Sequence, residues 1–212
     1  MTLSKFSKSM LAAIMGVGLA FIYVPLVIVV INSFNPSKTF SWPPTELTTK
    51  WWGKAFENTG VRESLMASFT AGALATLIAL LLGTMLAFAV SRYDFFGKNA
   101  ISLLVVLPIS LPGIVTGIAL NNAFTTIMGV NLGLATVVVA HATFCIVTVY
   151  NNVLARLARS NPNLEDASAD LGAGLWTTFR LVTFPQLRSA LVAGGLLAFG
   201  LSFDEIIVTT FT

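Results

Sequence analysis

The sequence predicts an all-α, polytopic bundle of transmembrane helices, and three observations support this fold class. Hydrophobic residues make up 56% of the 212 residues, whereas charged residues make up only 10%. Average soluble domains carry roughly 25% charged residues. Several stretches of the chain are long and almost uncharged, and a helix needs about 20 apolar residues to cross the hydrocarbon core. A soluble globule of this size could not bury so much apolar surface.

Five spans are predicted within a single domain covering residues 1–212. They lie at about residues 10–31, 65–91, 99–127, 133–155 and 189–211. The first is expected to be a retained signal anchor, because its uncharged run is longer than the apolar part of a cleaved signal peptide. The third and fourth spans share one uncharged run that is too long for one crossing, and the polar turn at 129–133 divides it.

The distribution of lysine and arginine predicts that the N-terminus is cytoplasmic. Positive residues accumulate on the cytoplasmic side of membrane proteins, and in a five-span chain three positive regions fall on one side: Lys5 and Lys8; Arg92 and Lys98; Arg156, Arg159, Arg180 and Arg188. The segment 33–63 then lies outside, with interfacial anchors at Trp42, Trp51 and Trp52. An odd number of spans, ending directly at Phe211 and Thr212, also suggests that at least one further helix is missing.

A polar loop at about 160–188 connects the fourth and fifth spans on the predicted cytoplasmic side. Asn163 is expected to cap a helix, with Asp166 as the acidic member of a capping box. Gly172 and Gly174 supply a turn, and Pro185 is expected to end the loop before the next span. A second, short amphipathic helix follows the turn, with apolar residues at Leu175, Trp176 and Phe179. The loop either docks a partner or only stabilises the bundle.

The loop resembles the EAA loop of permeases from ATP-binding-cassette (ABC) importers. The pattern begins with Glu-Ala-Ala and has a glycine four residues after the second alanine. Nine further residues separate that glycine from Ile-x-Leu-Pro. The corresponding positions here are Asp166, Ala167, Ser168, Gly172, Val182, Phe184 and Pro185. The run around Asp170 is typical of the polyamine branch, and the chain is similar to the second permease of spermidine/putrescine importers. Members of that family continue into a sixth span.

The resemblance implies a type I ABC importer permease fold and a set of partners. A dimer of cytoplasmic ATPase subunits would receive the loop at Asp166, Ala167, Ser168, Asp170, Gly172 and Pro185. A second permease subunit and an extracytoplasmic solute-binding protein complete such importers, which lie in the bacterial inner membrane in contact with lipid. No cofactor is expected on this chain, because ATP and Mg²⁺ bind the partner ATPase. Related permeases carry polyamines, phosphonates, ferric ion or opines, so the solute stays open.

Two prolines interrupt the third predicted span. Pro108 and Pro112 each remove a backbone donor, so a bent or locally opened helix is expected, and Gly113 and Gly117 allow another helix to approach closely. The bend is either a hinge near the translocation path or a kink of packing only.

Asp204 and Glu205 are the only acidic residues in the fifth predicted span. Ionisable residues inside apolar spans are rare and usually functional, and an acidic path would attract cationic cargo. Adjacent helical residues point about 100° apart, so one of the pair is expected to line the path. If the span ends early, both residues lie at the outer water boundary instead.

The remaining sequence features argue against an enzyme. The chain contains no G-x4-G-K-[ST] phosphate-binding loop, so ATP chemistry belongs on another chain. A single histidine, His141, excludes an intrachain His-based metal site, and it is expected to bond a neighbouring helix. The net charge of +3 lies in short clusters and does not indicate nucleic acid. Two alternatives stay open: an ion-coupled secondary transporter and a non-transporting membrane scaffold.

Overall fold

A computed structural model describes residues 4–39, 42–161 and 163–212. These residues form helices and connections without a β-strand, which confirms the all-α class. The helices are α1 (Lys5–Asn32), α2 (Lys50–Glu57), α3 (Thr59–Arg92), α4 (Lys98–Ser110), α5 (Gly113–Asn122), α6 (Leu134–Leu157), α7 (Asn163–Asp170), α8 (Leu175–Thr178), α9 (Phe184–Asp204) and α10 (Ile206–Phe211). Two π-helical turns, Ala123–Ile127 and Phe179–Thr183, follow α5 and α8.

Among the described residues, four helical stretches are long and apolar enough to cross a membrane, and a bent pair of helices gives a fifth candidate. The four are Lys5–Asn32, Thr59–Arg92, Leu134–Leu157 and Leu175–Asp204. The fifth is the pair Lys98–Ser110 and Gly113–Ile127, which is bent by 106°. The stretches 99–127 and 189–211 are therefore not continuous helices: the first is interrupted at Leu111 and the second at Glu205.

The chain divides into two compact units, Met1–Ser64 and Leu65–Thr212, where the sequence suggested one domain. In the first unit α1 has no buried residue. The segment that follows α1 folds back on itself, because Trp51 Nε1 donates a hydrogen bond of 3.0 Å to the carbonyl oxygen of Asn35. Lys50 and Lys54 place their ammonium groups over the Trp51 ring. Such cation–π contacts anchor the ring that the sequence predicted at a membrane interface.

The core of the second unit is built around α6, which buries half of its 24 residues. Small residues let its neighbours approach closely. A Cβ added to Gly83 of α3 would lie 2.9 Å from the carbonyl oxygen of Ile146 in α6, and one added to Gly194 of α9 would lie 3.3 Å from Asn152 Cβ. In lipid, helices associate through such close packing, because the burial of apolar surface provides little driving force for association there. Helix α6 thus packs against both α3 and α9, with the 160–188 loop at one end and Glu205 at the other.

Candidate functional site

The 160–188 loop is a compact helix–turn–helix whose turn depends on one glycine. Gly172 has a φ of +82°, a left-handed conformation that favours glycine. Its N–H donates to the carbonyl of Ala169, and the next N–H donates to that of Ser168, which closes the end of α7. The Ser168 hydroxyl also lies 3.0 Å from that of Thr178, joining α7 to α8. Gly174 has an extended backbone, φ −72° and ψ 164°, so the prediction that both glycines shape the turn holds only for Gly172.

Two local predictions about the ends of this loop were wrong. Asn163 is the first residue of α7, and its N–H donates to the side-chain oxygen of Asn161 at 3.1 Å. Asn161 therefore caps the helix, two residues earlier than predicted. Pro185 lies in the first turn of α9, directly after the π-helical turn Phe179–Thr183. The proline therefore lies within the helical stretch Leu175–Asp204 and does not end the loop.

The outer side of the loop presents large apolar side chains to solvent. Leu171, Leu175 and Trp176 are 89%, 93% and 72% exposed. Asp166 and Asp170 are exposed beside them, as are Ala167, Gly172 and Pro185, whereas Ser168 is half-buried. Exposed apolar patches rimmed by polar residues mark interaction sites. This surface of the loop has the composition of a docking site.

The inner side of the loop is held by residues that the sequence did not single out. Glu165 Oε1 accepts a hydrogen bond of 2.8 Å from Arg92 Nη2 and one of 2.9 Å from Thr183 Oγ1. The Phe88 ring of α3 lies 6.2 Å from the Phe179 ring in the loop. No spacing rule connects residues 73 positions apart, so only the fold reveals this cluster.

At the other end of α6, the expected bend at the prolines is present. Helix α4 contains Pro108 and stops at Ser110, and Pro112 occupies the N-cap position of α5. The two segments meet at 106°. Proline at such a position cannot donate to the preceding turn, and non-helical backbone at membrane depth is tolerated where protein or a cavity surrounds it.

A second break lies at Glu205, which separates α9 from α10. Its backbone is extended (φ −80°, ψ 98°), and its Oε1 accepts a hydrogen bond of 2.9 Å from the N–H of Val208. The expectation that Asp204 and Glu205 are successive helical residues is therefore wrong. Asp204 is exposed, whereas Glu205 is half-buried and lines a cavity of about 650 Å³.

His141 bridges this second break. Its Nδ1 lies 2.8 Å from Ser202 Oγ in α9, and its Nε2 lies 2.9 Å from Thr209 Oγ1 in α10. This confirms that the histidine bonds neighbouring helices. All three side chains line the same cavity as Glu205, so the cavity wall offers the Glu205 carboxylate among other hydrogen-bonding groups. Within the described residues no cluster of three metal-binding side chains occurs.

The two breaks lie against each other. A Cβ on Gly113, the residue after Pro112, would lie 3.7 Å from Glu205 Oε1, and one on Gly117 would lie 2.9 Å from the Phe211 ring. Asn121 Nδ2 also donates to the carbonyl oxygen of Phe211. The close approach expected of Gly113 and Gly117 is therefore between α5 and α10. A carboxylate beside two interrupted helices and a cavity can bind a cation.

Comparison with known proteins finds similarity to permeases of binding-protein-dependent transport systems. Residues 79–212 match the family described as "Binding-protein-dependent transport system inner membrane component". The chain is 31% identical over 205 residues to the putrescine transport system permease protein PotI of Escherichia coli, covering 93% of this chain and 72% of that protein. It is 33% identical over 205 residues to the spermidine/putrescine transport system permease protein PotC of Haemophilus influenzae, with coverage of 94% and 77%. For PotC of Escherichia coli the identity is 33% over 193 residues, with coverage of 91% and 72%.

Proposed function

The chain belongs to the family of binding-protein-dependent transport system inner membrane components, and from that premise we propose that it is the permease subunit of an ATP-driven importer of polyamines. It is a multi-pass inner-membrane protein. One observation supports the proposal: the two ends of α6 bear a loop with exposed apolar side chains and a cavity lined by a carboxylate.

ATP hydrolysis is assigned to a separate dimer of cytoplasmic ATPase subunits, which bind ATP and Mg²⁺. The loop residues Asp166, Ala167, Ser168, Asp170, Gly172 and Pro185 would engage that partner. The exposed Leu171, Leu175 and Trp176 support this assignment, since aromatic and apolar anchors dominate the energy of protein interfaces. The positive residues near the loop favour a cytoplasmic location for it, with the N-terminus on the same side.

Two further partners complete the importer. A second permease subunit supplies the other half of the translocation path, because five or six helices seldom enclose a pore alone. An extracytoplasmic solute-binding protein delivers the solute. The bundle would alternate between inward and outward openings as the ATPase dimer closes and separates.

The cargo assignment depends on Glu205. Similar permeases are named for putrescine and spermidine, which are cations. A carboxylate and an ammonium group about 4 Å apart attract by about 4 kcal/mol in a partly shielded site. Glu205 lines the cavity, and Gly113, which follows Pro112 at the bend between α4 and α5, lies beside it. We propose that Pro108 and Pro112 form a hinge next to this path. We therefore assign Glu205 rather than Asp204 to the path.

Solute-stimulated ATP hydrolysis tests the function. The complex with its ATPase, second permease and binding protein would be reconstituted in proteoliposomes and supplied with putrescine or spermidine. We expect stimulated hydrolysis and uptake that stops without ATP. Stimulation by a neutral or anionic solute alone would overturn the polyamine assignment. Uptake by the permease chains without the ATPase would instead support an ion-coupled transporter, and no uptake of any solute would support a scaffold.

A further inference from the structure

Three segments of the chain meet at one carboxylate oxygen. Arg92 is the last residue of α3, Glu165 lies in the first turn of α7, and Thr183 ends the π-helical turn before α9. Glu165 Oε1 accepts from both of the others, at 2.8 Å from Arg92 Nη2 and 2.9 Å from Thr183 Oγ1. The Glu165 side chain is thereby bonded to the end of α3 and to the residue that directly precedes α9.

This cluster is partly shielded from water. The side chains of Arg92 and Glu165 are 25% and 28% exposed, and Thr183 is buried. The other ion pair among the described residues, Lys98–Asp94, is 2.9 Å long, but its aspartate side chain is fully exposed and lies in the neighbouring turn. Charge-assisted hydrogen bonds strengthen as water is excluded, whereas exposed pairs contribute little. The Arg92 pair is therefore the stronger connection.

A ring contact connects the same segments one turn away. The Phe88 ring of α3 lies 6.2 Å from that of Phe179, which stacks at 5.7 Å on the exposed Trp176. Phe179 thus connects the exposed Trp176 to α3 independently of Glu165. The rings can slide over each other, whereas the two hydrogen bonds fix a direction.

We propose that Arg92 is a positioning residue that couples the docking loop to the transmembrane helices through Glu165 and Thr183. When the partner ATPase displaces the loop, this cluster makes α3 move together with α9, which continues from the loop in one helical stretch. Without the cluster, α3 is released from the loop and ATP is hydrolysed without transport. The proposal rests on the proposed function for its ATPase partner.

The first test measures the ratio of solute transported to ATP hydrolysed in the reconstituted complex. We expect Arg92→Gln and Glu165→Gln to lower this ratio about tenfold, the effect of losing a charged hydrogen bond. The exchanged pair, Arg92→Glu with Glu165→Arg, should recover most of it. The control, Asp94→Asn with Lys98→Gln, removes the exposed ion pair and should leave the ratio unchanged.

An unchanged ratio in both single variants would overturn the proposal. The proposal would also be overturned if the exchanged pair restored no part of the ratio that the single variants lose. If the single variants reduce the amount of assembled complex, Thr183→Val decides, because it removes only one hydroxyl. A lowered ratio in that variant supports the proposal, and an unchanged ratio refutes it.

Amide hydrogen exchange of the same complex separates this proposal from the proposed function. Arg92→Gln should raise the exchange rate of the α7 amides about tenfold, since local opening follows the lost bond. Equal rates with and without Arg92 would refute the coupling role even if transport is observed. A complex that imports nothing would refute the proposed function, while the exchange rates still report whether Arg92 holds the loop.

Discussion

Replacing Glu205 with glutamine isolates the charge that the cavity offers to a cationic solute. Glutamine has nearly the same shape, and its carbonyl oxygen can still accept the 2.9 Å hydrogen bond from the N–H of Val208. The cap of α10 is therefore retained while the negative charge is lost. Asp204→Asn is the matched control, because that neighbouring carboxylate is exposed and does not line the cavity.

The size of the effect follows from the contact that is lost. Hydrogen bonds to charged groups contribute about 1.5–3 kcal/mol net, which corresponds to roughly 10- to 150-fold in affinity. The half-buried position of Glu205 places the expected loss towards the lower end of that range, about tenfold to thirtyfold.

The assay is ATP-driven putrescine uptake into proteoliposomes, compared as kcat/KM at equal amounts of complex. We expect the Glu205→Gln complex to lose about tenfold or more and the Asp204→Asn complex to lose less than about twofold. Equal losses in the two variants would refute the assignment of Glu205 to the path. Unchanged uptake in the Glu205→Gln complex would refute electrostatic attraction as the basis of cargo selection.

Three further predictions concern the loop and the helix packing. Trp176→Ala should weaken capture of the ATPase subunit by about tenfold or more without altering the fold. The control Phe96→Ala, at another exposed aromatic residue, should leave capture unchanged in the same pull-down. Gly172→Ala should destabilise the loop by about 1–2 kcal/mol because of its positive φ, seen as faster amide exchange there, and Gly174→Ala should not. Gly83→Ala should destabilise the protein by about 1–3 kcal/mol, because the added methyl would lie 2.9 Å from a backbone carbonyl of α6. The thermal unfolding midpoint should fall accordingly, and an unchanged midpoint would contradict the close packing.

The helical class and most spans could be predicted because apolar composition over about 20 residues is a property of the sequence alone. The bend after Pro108 was also predictable, because proline cannot continue the hydrogen-bonding ladder. The break at Glu205 was not. No glycine or proline lies between Phe203 and Val208, and the interruption depends on contacts with other helices, including the bonds of His141.

For the candidate site, the sequence predicted the outer surface of the loop but not its inner surface. The resemblance identified the residues of the outer loop surface in register, such as Gly172, whose positive φ explains why glycine is required there. The inner surface was missed, because Glu165 and Arg92 are 73 residues apart and neither stands out in the sequence. The cap at Asn161 was missed by two residues, since several polar residues compete for that position.

The close packing of α9 against α6 also determines how far a small movement at one end of α9 displaces its other end. Helix α9 has 21 residues and is therefore about 30 Å long. Packed cores shift between discrete arrangements and do not stretch continuously, so α9 should tilt as a rigid rod. A tilt of about 5° about its loop end moves its far end by roughly 2.6 Å, close to the length of a hydrogen bond. A rotation of this size, if the loop drives it as proposed, would be enough to exchange one set of polar contacts around Glu205 for another.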